Sequence, residues 1–377
     1  MIARFLENQL RKRWDSGKAL VVMGPRQVGK TTLLRKLCDE EGAYLLLNAD
    51  EIDVRNQLEN INLARLRQLI GPNRVVFINE AQRVPNIGLT LKLITDQLPA
   101  IRLLVSGSSS FDLANEINEP LTGRKWEFRL YPISWQELVG SIGFLDARRQ
   151  LETRLLYGFY PEVVTSLGDE RAILQQLSSS YLYKDLLTFG GIRRPELLEK
   201  LLVALALQLG NEVSYNELSR TLQVDRATVE SYVSLLEKAF VIFRLQPFSR
   251  NLRNEISSSR KIYFYDNGIR NAILADFKPL SLRADVGALW ENFLVSERQK
   301  VLHYQQIWAK PYFWRTHQQQ EIDYVEEQDG ALRAWEFKWN PNAKIRFPKT
   351  FTEAYHPSQT EVIHPNNFEE FVGMVPA

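Results

Sequence analysis

The chain has 377 residues, of which 45% are hydrophobic, 24% charged and 11% aromatic, which excludes a disordered chain and predicts buried cores in two or three domains. Lys and Arg number 47, Asp and Glu 45, and a formal net charge of +2 excludes a uniformly basic nucleic-acid coat. The single cysteine, Cys38, excludes a disulfide scaffold and a cysteine-rich zinc finger. With no signal peptide or long apolar segment in view, we expect a cytoplasmic protein without membrane contact.

The first 140 residues or so alternate short apolar runs with segments of helical spacing. Four apolar runs predict buried strands, and they lie at residues 19–23, 44–47, 75–78 and 101–105. Three helical segments lie between them, at residues 30–38, 63–70 and 87–97. Strands that alternate with helices predict a parallel sheet covered on both faces.

Residues 24–31, Gly-Pro-Arg-Gln-Val-Gly-Lys-Thr, fit the phosphate-binding (Walker A) pattern G-x-x-x-x-G-K-[ST] at every fixed position, between a strand and a helix. Backbone amides of such a loop and the helix N-terminus bind phosphate groups. Lys30 is predicted to contact the β- and γ-phosphates of ATP, and Thr31 to hold Mg²⁺. The predicted ATP-binding residues of this loop are Gly24, Pro25, Arg26, Gln27, Val28, Gly29, Lys30, Thr31 and Thr32.

The strand at 75–78 continues into Asn79 and Glu80, where a Walker B element has its acids. Asn79 stands at the position expected for the Mg²⁺-binding Asp and brings no negative charge, so we expect weaker Mg²⁺ organisation and slower hydrolysis. Glu80 is predicted to polarise the attacking water. Ser106 and Ser108 follow the strand at 101–105, and either they sense the γ-phosphate or they form a serine-rich turn.

Arg124 is either an arginine finger supplied to a neighbouring subunit or an ordinary surface arginine. The finger interpretation would require a homo-oligomer.

Five motifs in order resemble those of prokaryotic AAA+ ATPases that carry a C-terminal domain of unknown function. They are the phosphate-binding loop, Asn79–Arg83 (Asn-Glu-Ala-Gln-Arg), residues 106–109 (Ser-Gly-Ser-Ser), residues 121–124 (Leu-Thr-Gly-Arg) and residues 158–162 (Gly-Phe-Tyr-Pro-Glu). The resemblance covers nearly the whole chain and implies a P-loop fold with ATP chemistry. That family usually has Asp at position 79, so this chain departs from it there.

Residues 214–238 predict two short helices joined by a tight turn, the first begun by a Ser-x-x-Glu capping box and the second capped by Asp225. Strand-like runs at 241–245 and 261–265 complete a predicted winged helix, with residues 250–261 as its wing. Either it contacts DNA or it serves as a protein-contact or oligomer arm. The candidates for phosphate contact, to be tested by substitution, are Arg220, Arg226, Arg244, Arg250, Arg253, Arg260 and Lys261.

The last segment predicts a helix at about 285–300 followed by three strand-like runs. Glu336 and Lys338 share one face of a strand, and a hairpin would bring Asp323 beside them. This order resembles the PD-(D/E)xK nuclease core, in which two carboxylates hold Mg²⁺ and the lysine acts on water. Glu291 on the preceding helix is a further candidate ligand, and the alternative is an ordinary salt bridge on a sheet.

We therefore predict three parts: a P-loop AAA+ core with a lid at residues 1–165, a helical and winged-helix domain at 166–280, and a restriction-endonuclease-like α/β domain at 281–377. The predicted function is an ATPase that couples ATP binding and slow hydrolysis to contact with DNA or a protein partner. The alternatives are a nucleotide-gated, Mg²⁺-dependent nuclease and a non-hydrolysing ATP-binding switch.

Overall fold

The computed structural model of the chain describes residues 2–108, 117, 120–182, 194–250 and 260–374. These residues form two compact units. The first comprises Met1–Ile133 with Lys238–Phe240, and the second comprises Ser134–Glu237 with Val241–Ala377. The boundary predicted near residue 280 falls inside the second unit.

The first unit is built on a parallel sheet with the strand order β2-β3-β4-β1-β5. Its strands are β1 (Ala19–Met23), β2 (Leu45–Asn48), β3 (Val75–Asn79), β4 (Arg102–Gly107) and β5 (Lys125–Arg129). The predicted α/β fold with a parallel sheet is confirmed here. The sequence does not predict β5, because this edge strand has only one buried side chain, Phe128, and therefore no continuous apolar run.

Helices accompany these strands in the alternation that the sequence predicts. They are α1 (Leu6–Lys12), α2 (Lys30–Glu41), α3 (Ile52–Leu58), α4 (Leu63–Ile70) and α5 (Ile87–Gln97). Helix α2 begins directly at the phosphate-binding loop and buries Leu33, Leu34, Leu37 and Cys38. Burial raises the pKa of the Cys38 thiol to about 12.

The second unit begins with a run of helices. They are α6 (Trp135–Ile142), α7 (Phe144–Arg149), α8 (Leu151–Tyr157), α9 (Pro161–Thr165), α10 (Glu170–Gln176), α11 (Pro195–Leu207), α12 (Tyr215–Leu222) and α13 (Arg226–Lys238). Four further helices follow among the described residues: α14 (Asn267–Ile273), α15 (Val286–Tyr304), α16 (Lys349–Tyr355) and α17 (Phe368–Phe371).

One seven-stranded sheet runs through the second unit in the order β12-β11-β10-β9-β7-β8-β6. Its strands are β6 (Glu212–Val213), β7 (Ile242–Pro247), β8 (Arg260–Phe264), β9 (Lys310–Arg315), β10 (Glu321–Gln328), β11 (Ala331–Phe337) and β12 (Gln359–Ile363). The pairing of β7 with β9 is parallel and joins strands from both sides of the boundary predicted near residue 280.

Helix α15 packs against this sheet and is buried on nearly all sides. The Asn292 side chain fixes it to β8, since its amide donates to the Phe264 carbonyl (3.1 Å) and its oxygen accepts from the Phe264 N–H (2.8 Å). None of the helices in the described part of the chain combines the length and the apolar character needed to cross a membrane.

Candidate functional site

The phosphate-binding loop lies between β1 and α2, and its glycines permit a close backbone approach. A Cβ atom on Gly24 would lie 2.1 Å from the carbonyl oxygen of Leu130, so only glycine fits there. Gly29, with φ at +94°, is the residue that caps α2. The loop wraps around Lys30, whose ammonium donates to the carbonyls of Gly24 (2.9 Å) and Pro25 (2.8 Å). The lysine charge is thus held inside the loop, at a side chain only 5% exposed.

Arg4, which no motif singles out, holds the loop from the N-terminal segment. Its guanidinium donates to the carbonyls of Val28 (2.8 Å) and Tyr131 (2.6 Å). The two bonds tie together three segments that are far apart in sequence. Sequence reasoning missed this residue because an isolated arginine outside a motif carries no spacing signal.

A polar network links the loop to the carboxyl ends of three parallel strands. Asn79 Oδ1 accepts from the hydroxyls of Thr31 (2.9 Å) and Ser106 (2.8 Å). Its amide nitrogen donates to Asn48 Oδ1 (3.0 Å). Asn79 therefore has partners on both sides of its amide, and three predicted residues, Thr31, Asn79 and Ser106, lie within hydrogen-bond distance of one another through its oxygen.

Glu80 follows in a left-handed conformation, with φ at +52°. The Gln82 amide donates to Glu80 Oε2 (2.6 Å) and to the Ser108 hydroxyl (3.0 Å). Gln82 thus connects the predicted water-activating carboxylate with the predicted phosphate sensor. Gln82 belongs to the Asn-Glu-Ala-Gln-Arg motif, but the sequence alone assigns no role to it.

The remaining candidates of the first unit differ in their exposure and their partners. Thr32 is exposed, whereas Arg26 and Gln27 are half-buried. The Arg124 guanidinium pairs with Asp96 of its own chain and donates to the Thr122 carbonyl (3.2 Å). Its role as an arginine finger stays a prediction.

The residues of the loop fit a nucleotide with Mg²⁺. The enclosed Lys30 ammonium supplies a positive charge for triphosphate oxygens, and the Thr31 hydroxyl supplies an oxygen ligand of the kind that Mg²⁺ takes.

A second group of predicted residues meets in the second unit, at the ends of β10 and β11. The Lys338 ammonium lies 2.8 Å from Glu336 Oε2 and 3.3 Å from Asp323 Oδ2. Asp323 Oδ2 also accepts from the Phe337 N–H (2.8 Å). Burial, together with the nearby Asp323 carboxylate, raises the pKa of Glu336 to about 7.

Lys261 on β8 lies on the other side of Asp323 and is only 1% exposed. Its ammonium contacts Glu321 Oε1 (2.6 Å) and Glu291 Oε1 (2.9 Å), and lies 4.0 Å from Asp323 Oδ1. The Tyr263 hydroxyl donates to Glu291 Oε1 (2.6 Å). Burial raises the pKa of Glu291 to about 7, with Lys261 opposing the shift.

The predicted metal ligands Glu291, Asp323 and Glu336 do not form a ligand set in this arrangement. Within the described ranges, no group of three or more Asp, Glu, His or Cys side chains is placed to hold a metal ion. Lysine ammonium groups contact these carboxylates instead.

The predicted phosphate-contacting residues of the second unit are largely engaged within the chain. Lys261 is buried, which excludes it from contact with phosphate, and Arg244 pairs with Glu237. Arg226 is exposed and pairs with Glu230 (2.9 Å). Arg260 lies over the Tyr215 ring at 4.8 Å. Arg253 and most of the predicted wing lie outside the described residues.

The parallel sheet and the loop geometry are those of a P-loop domain. Residues 16–139 match a family model described as AAA domain. Residues 148–280 and 286–374 match two models described as domains of unknown function, DUF8612 and DUF4143.

The chain belongs to the family of the uncharacterized protein Rv2008c of Mycobacterium tuberculosis. The two are 30% identical over 338 residues, which covers 88% of this chain and 72% of that protein. An uncharacterized protein of Haemophilus influenzae is 24% identical over 286 residues, covering 68% of this chain and 69% of the relative.

Two solved structures are more distant. The Walker-type ATPase of Pyrococcus abyssi aligns with a TM-score of 0.48 at 16% identity, covering 73% of this chain and 96% of that one. The Pif1 helicase of Candida albicans aligns with a TM-score of 0.27 at 17% identity, covering 47% and 48%. Likeness at this level carries no argument about function.

Proposed function

We propose that the protein binds ATP at the loop 24–31, hydrolyses it slowly, and couples the nucleotide state to contact with a macromolecular partner. The observation that carries this proposal is the polar network around Asn79, which holds the hydroxyls of Thr31 and Ser106 at one amide oxygen. The groups expected to contact Mg²⁺ and the terminal phosphate are thereby held in one place by a neutral side chain.

Each residue has a chemical role in this proposal. Lys30 exchanges the carbonyls of Gly24 and Pro25 for phosphate oxygens, while Thr31 offers its hydroxyl to Mg²⁺, which neutralises phosphate charge when bound. Glu80, freed from the Gln82 amide, orients the attacking water. Asn79 supports this arrangement without a negative charge, so the rate of hydrolysis is low while ATP binding is kept.

The test is Lys30→Ala, compared with Lys36→Ala on the same helix, where Lys36 pairs with Glu7 (2.8 Å) away from the loop. We expect Lys30→Ala to lower ATP turnover by at least about 100-fold and to weaken ATP binding, because a preorganised phosphate contact is lost. Lys36→Ala should keep both the ATP turnover and the ATP binding of the wild type. Phosphate release that persists in Lys30→Ala at the wild-type rate would refute the ATPase proposal.

We further propose that the second unit contains a winged-helix module and a nuclease-like module. The winged helix is supported by the order α11, β6, α12, α13, β7, β8, in which β8 pairs antiparallel with both β6 and β7. The nuclease-like architecture is supported by Glu291 on helix α15, Asp323 on β10, Glu336 on the paired strand β11 and Lys338 directly after that strand.

A protein partner fits the charge of the predicted recognition region better than a DNA backbone. Residues 214–238 carry three basic and four acidic side chains, and phosphate contact requires an excess of basic ones. Fluorescence anisotropy with labelled duplex DNA, with and without ATP, tests this choice. Binding that weakens steeply with salt and is lost in Arg220→Glu would favour DNA instead.

A further inference from the structure

The ammonium of Lys261 lies among three carboxylates, and each offers one oxygen to it. The contacts are Glu321 Oε1 at 2.6 Å, Glu291 Oε1 at 2.9 Å and Asp323 Oδ1 at 4.0 Å. Lys261 is 1% exposed, so protein atoms rather than water surround this charge. Oxygen atoms from several carboxylates around one cation are the environment that Mg²⁺ or Mn²⁺ takes in a hydrolytic site.

We propose that the Lys261 ammonium takes the place of a metal ion among these three carboxylates. The nuclease-like site of the wild-type chain therefore does not bind a divalent metal. The inference rests on the nuclease-like architecture proposed above and is independent of the ATPase site. It accounts for three predicted ligands that meet without forming a metal-binding group.

The position of Lys261 is fixed from its own strand. Lys261 and Tyr263 are two residues apart on β8, so their side chains leave the same face of the sheet, and both contact Glu291 Oε1. The Lys261 ammonium also lies 5.7 Å from the centre of the Phe313 ring. The ammonium is therefore held by a paired strand and is not a freely moving surface charge.

A second lysine completes the neutralisation of Asp323. The Oδ1 atom of Asp323 faces Lys261, while its Oδ2 atom faces Lys338 (3.3 Å) and the Phe337 N–H (2.8 Å). A divalent ion brought to Asp323 would have to displace one ammonium or lie close to both. At such distances like charges repel strongly even when water screens them in part.

The alternative is that this group is an ordinary buried ion-pair network with no capacity for metal. In that case removal of the lysine destabilises the unit and creates no binding site. The two interpretations differ in what a divalent ion does to a variant that lacks the ammonium.

The experiment compares Lys261→Met, which keeps a long apolar stem without the charge, with the control Lys310→Met at an exposed position of β9. Mn²⁺ binding is measured by electron paramagnetic resonance on the full chain without nucleotide, and thermal unfolding is followed with and without Mn²⁺. We expect Lys261→Met to bind about one Mn²⁺ at least about tenfold more tightly than the wild type, and to unfold at a higher temperature when Mn²⁺ is added. The control behaves like the wild type.

Two outcomes would overturn the proposal. One is a folded Lys261→Met chain whose affinity for Mn²⁺ equals that of the wild type. The other needs no lysine variant: tight Mn²⁺ binding by the wild-type chain that is lost in Glu336→Gln. Neither outcome touches the loop 24–31, so ATP turnover measured in the same preparations tells failure here from failure of the ATPase proposal.

Discussion

At the scale of single residues, Asn79 lies at the centre of the proposed ATP site. An aspartate there would bring a full negative charge toward Mg²⁺, whereas the neutral amide of Asn79 accepts from Thr31 and Ser106 and donates to Asn48. Asn48 Oδ1 faces the Asn79 nitrogen. With an aspartate at position 79, the Asn48 side-chain amide must flip so that its N–H group donates to the new carboxylate. That rotation costs little, because the other hydrogen bond that this oxygen accepts within the described part of the chain, from the Asp50 N–H, is long (3.4 Å).

We predict that Asn79→Asp raises the rate of Mg²⁺-dependent ATP hydrolysis by at least about tenfold, because a carboxylate at this point stabilises the cation and the charge of the transition state. Steady-state phosphate release checks it, with the exposed Asn86→Asp as the matched control. Unchanged turnover together with unchanged ATP affinity would favour the non-hydrolysing switch.

Glu336 gives a prediction about pH. Its pKa is raised from 4.5 to about 7 in the folded chain, so between these values the unfolded chain releases the proton first. The free energy of unfolding therefore falls as pH rises through this window. The glutamine of Glu336→Gln does not titrate. The free energy of unfolding of this variant should therefore decline less between pH 4.5 and pH 7 than that of the wild type. Urea unfolding at a series of pH values measures this, and the exposed Glu353→Gln should keep the wild-type slope.

The residues that the sequence predicts best are those in motifs. Lys30 and Thr31 stand at fixed spacing next to a strand and a helix, so one pattern implies both identity and place. Arg4, Asn48 and Lys261 act through partners 20 or more residues away, and such pairings leave no local periodicity to read. Lys261 was assigned to phosphate contact because its neighbours are basic, although the fold turns it inward.

At the scale of elements, helix caps connect segments of the second unit. Asp266 Oδ1 accepts from the Ile269 N–H (3.1 Å) at the start of α14, and its other oxygen accepts from the Phe159 N–H (2.6 Å). A Cβ atom on Gly158 would lie 2.0 Å from Asp266 Oδ1. The Gly-Phe-Tyr-Pro-Glu motif therefore has a structural reason for its glycine, which is contact with the cap of a distant helix.

We predict that Asp266→Ala lowers the free energy of unfolding by about 3 kcal/mol, because two buried N–H groups lose their acceptor. Asp225→Ala is the matched comparison, since Asp225 accepts from the Thr228 N–H (2.7 Å) at the exposed start of α13. The free energy of unfolding should fall clearly less in Asp225→Ala, because water can replace an exposed acceptor. Equal losses in denaturant unfolding would contradict this account of the motif.

At the scale of the whole molecule, the seven-stranded sheet determines which fragments are stable. Strands β7 and β8 belong to the predicted winged helix, yet β7 pairs with β9 and the side chain of Asn292 on α15 binds the backbone of β8. Motifs and composition predict three parts along the chain, but they contain no information about a strand pairing such as that of β7 with β9.

We predict that a fragment of residues 134–377 folds cooperatively, whereas a fragment of residues 281–377 does not, because the latter loses the partners of β9 and α15 in β7 and β8. Thermal unfolding and amide hydrogen exchange of the two fragments check this. A sharp transition with protected amides in 281–377 would show instead that this part is an independent domain.

The burial of Cys38 has a practical consequence for measuring motion. Cys38 lies on α2 with its side chain buried, and its pKa of about 12 keeps it in the protonated, unreactive thiol form. The native chain should therefore take up almost no maleimide dye at neutral pH. Reporter cysteines at Leu89 and Leu282, which are 60% and 70% exposed in the first and second units, could then be labelled while the native Cys38 is kept. Energy transfer between the two dyes would follow the distance between the units as nucleotide is added.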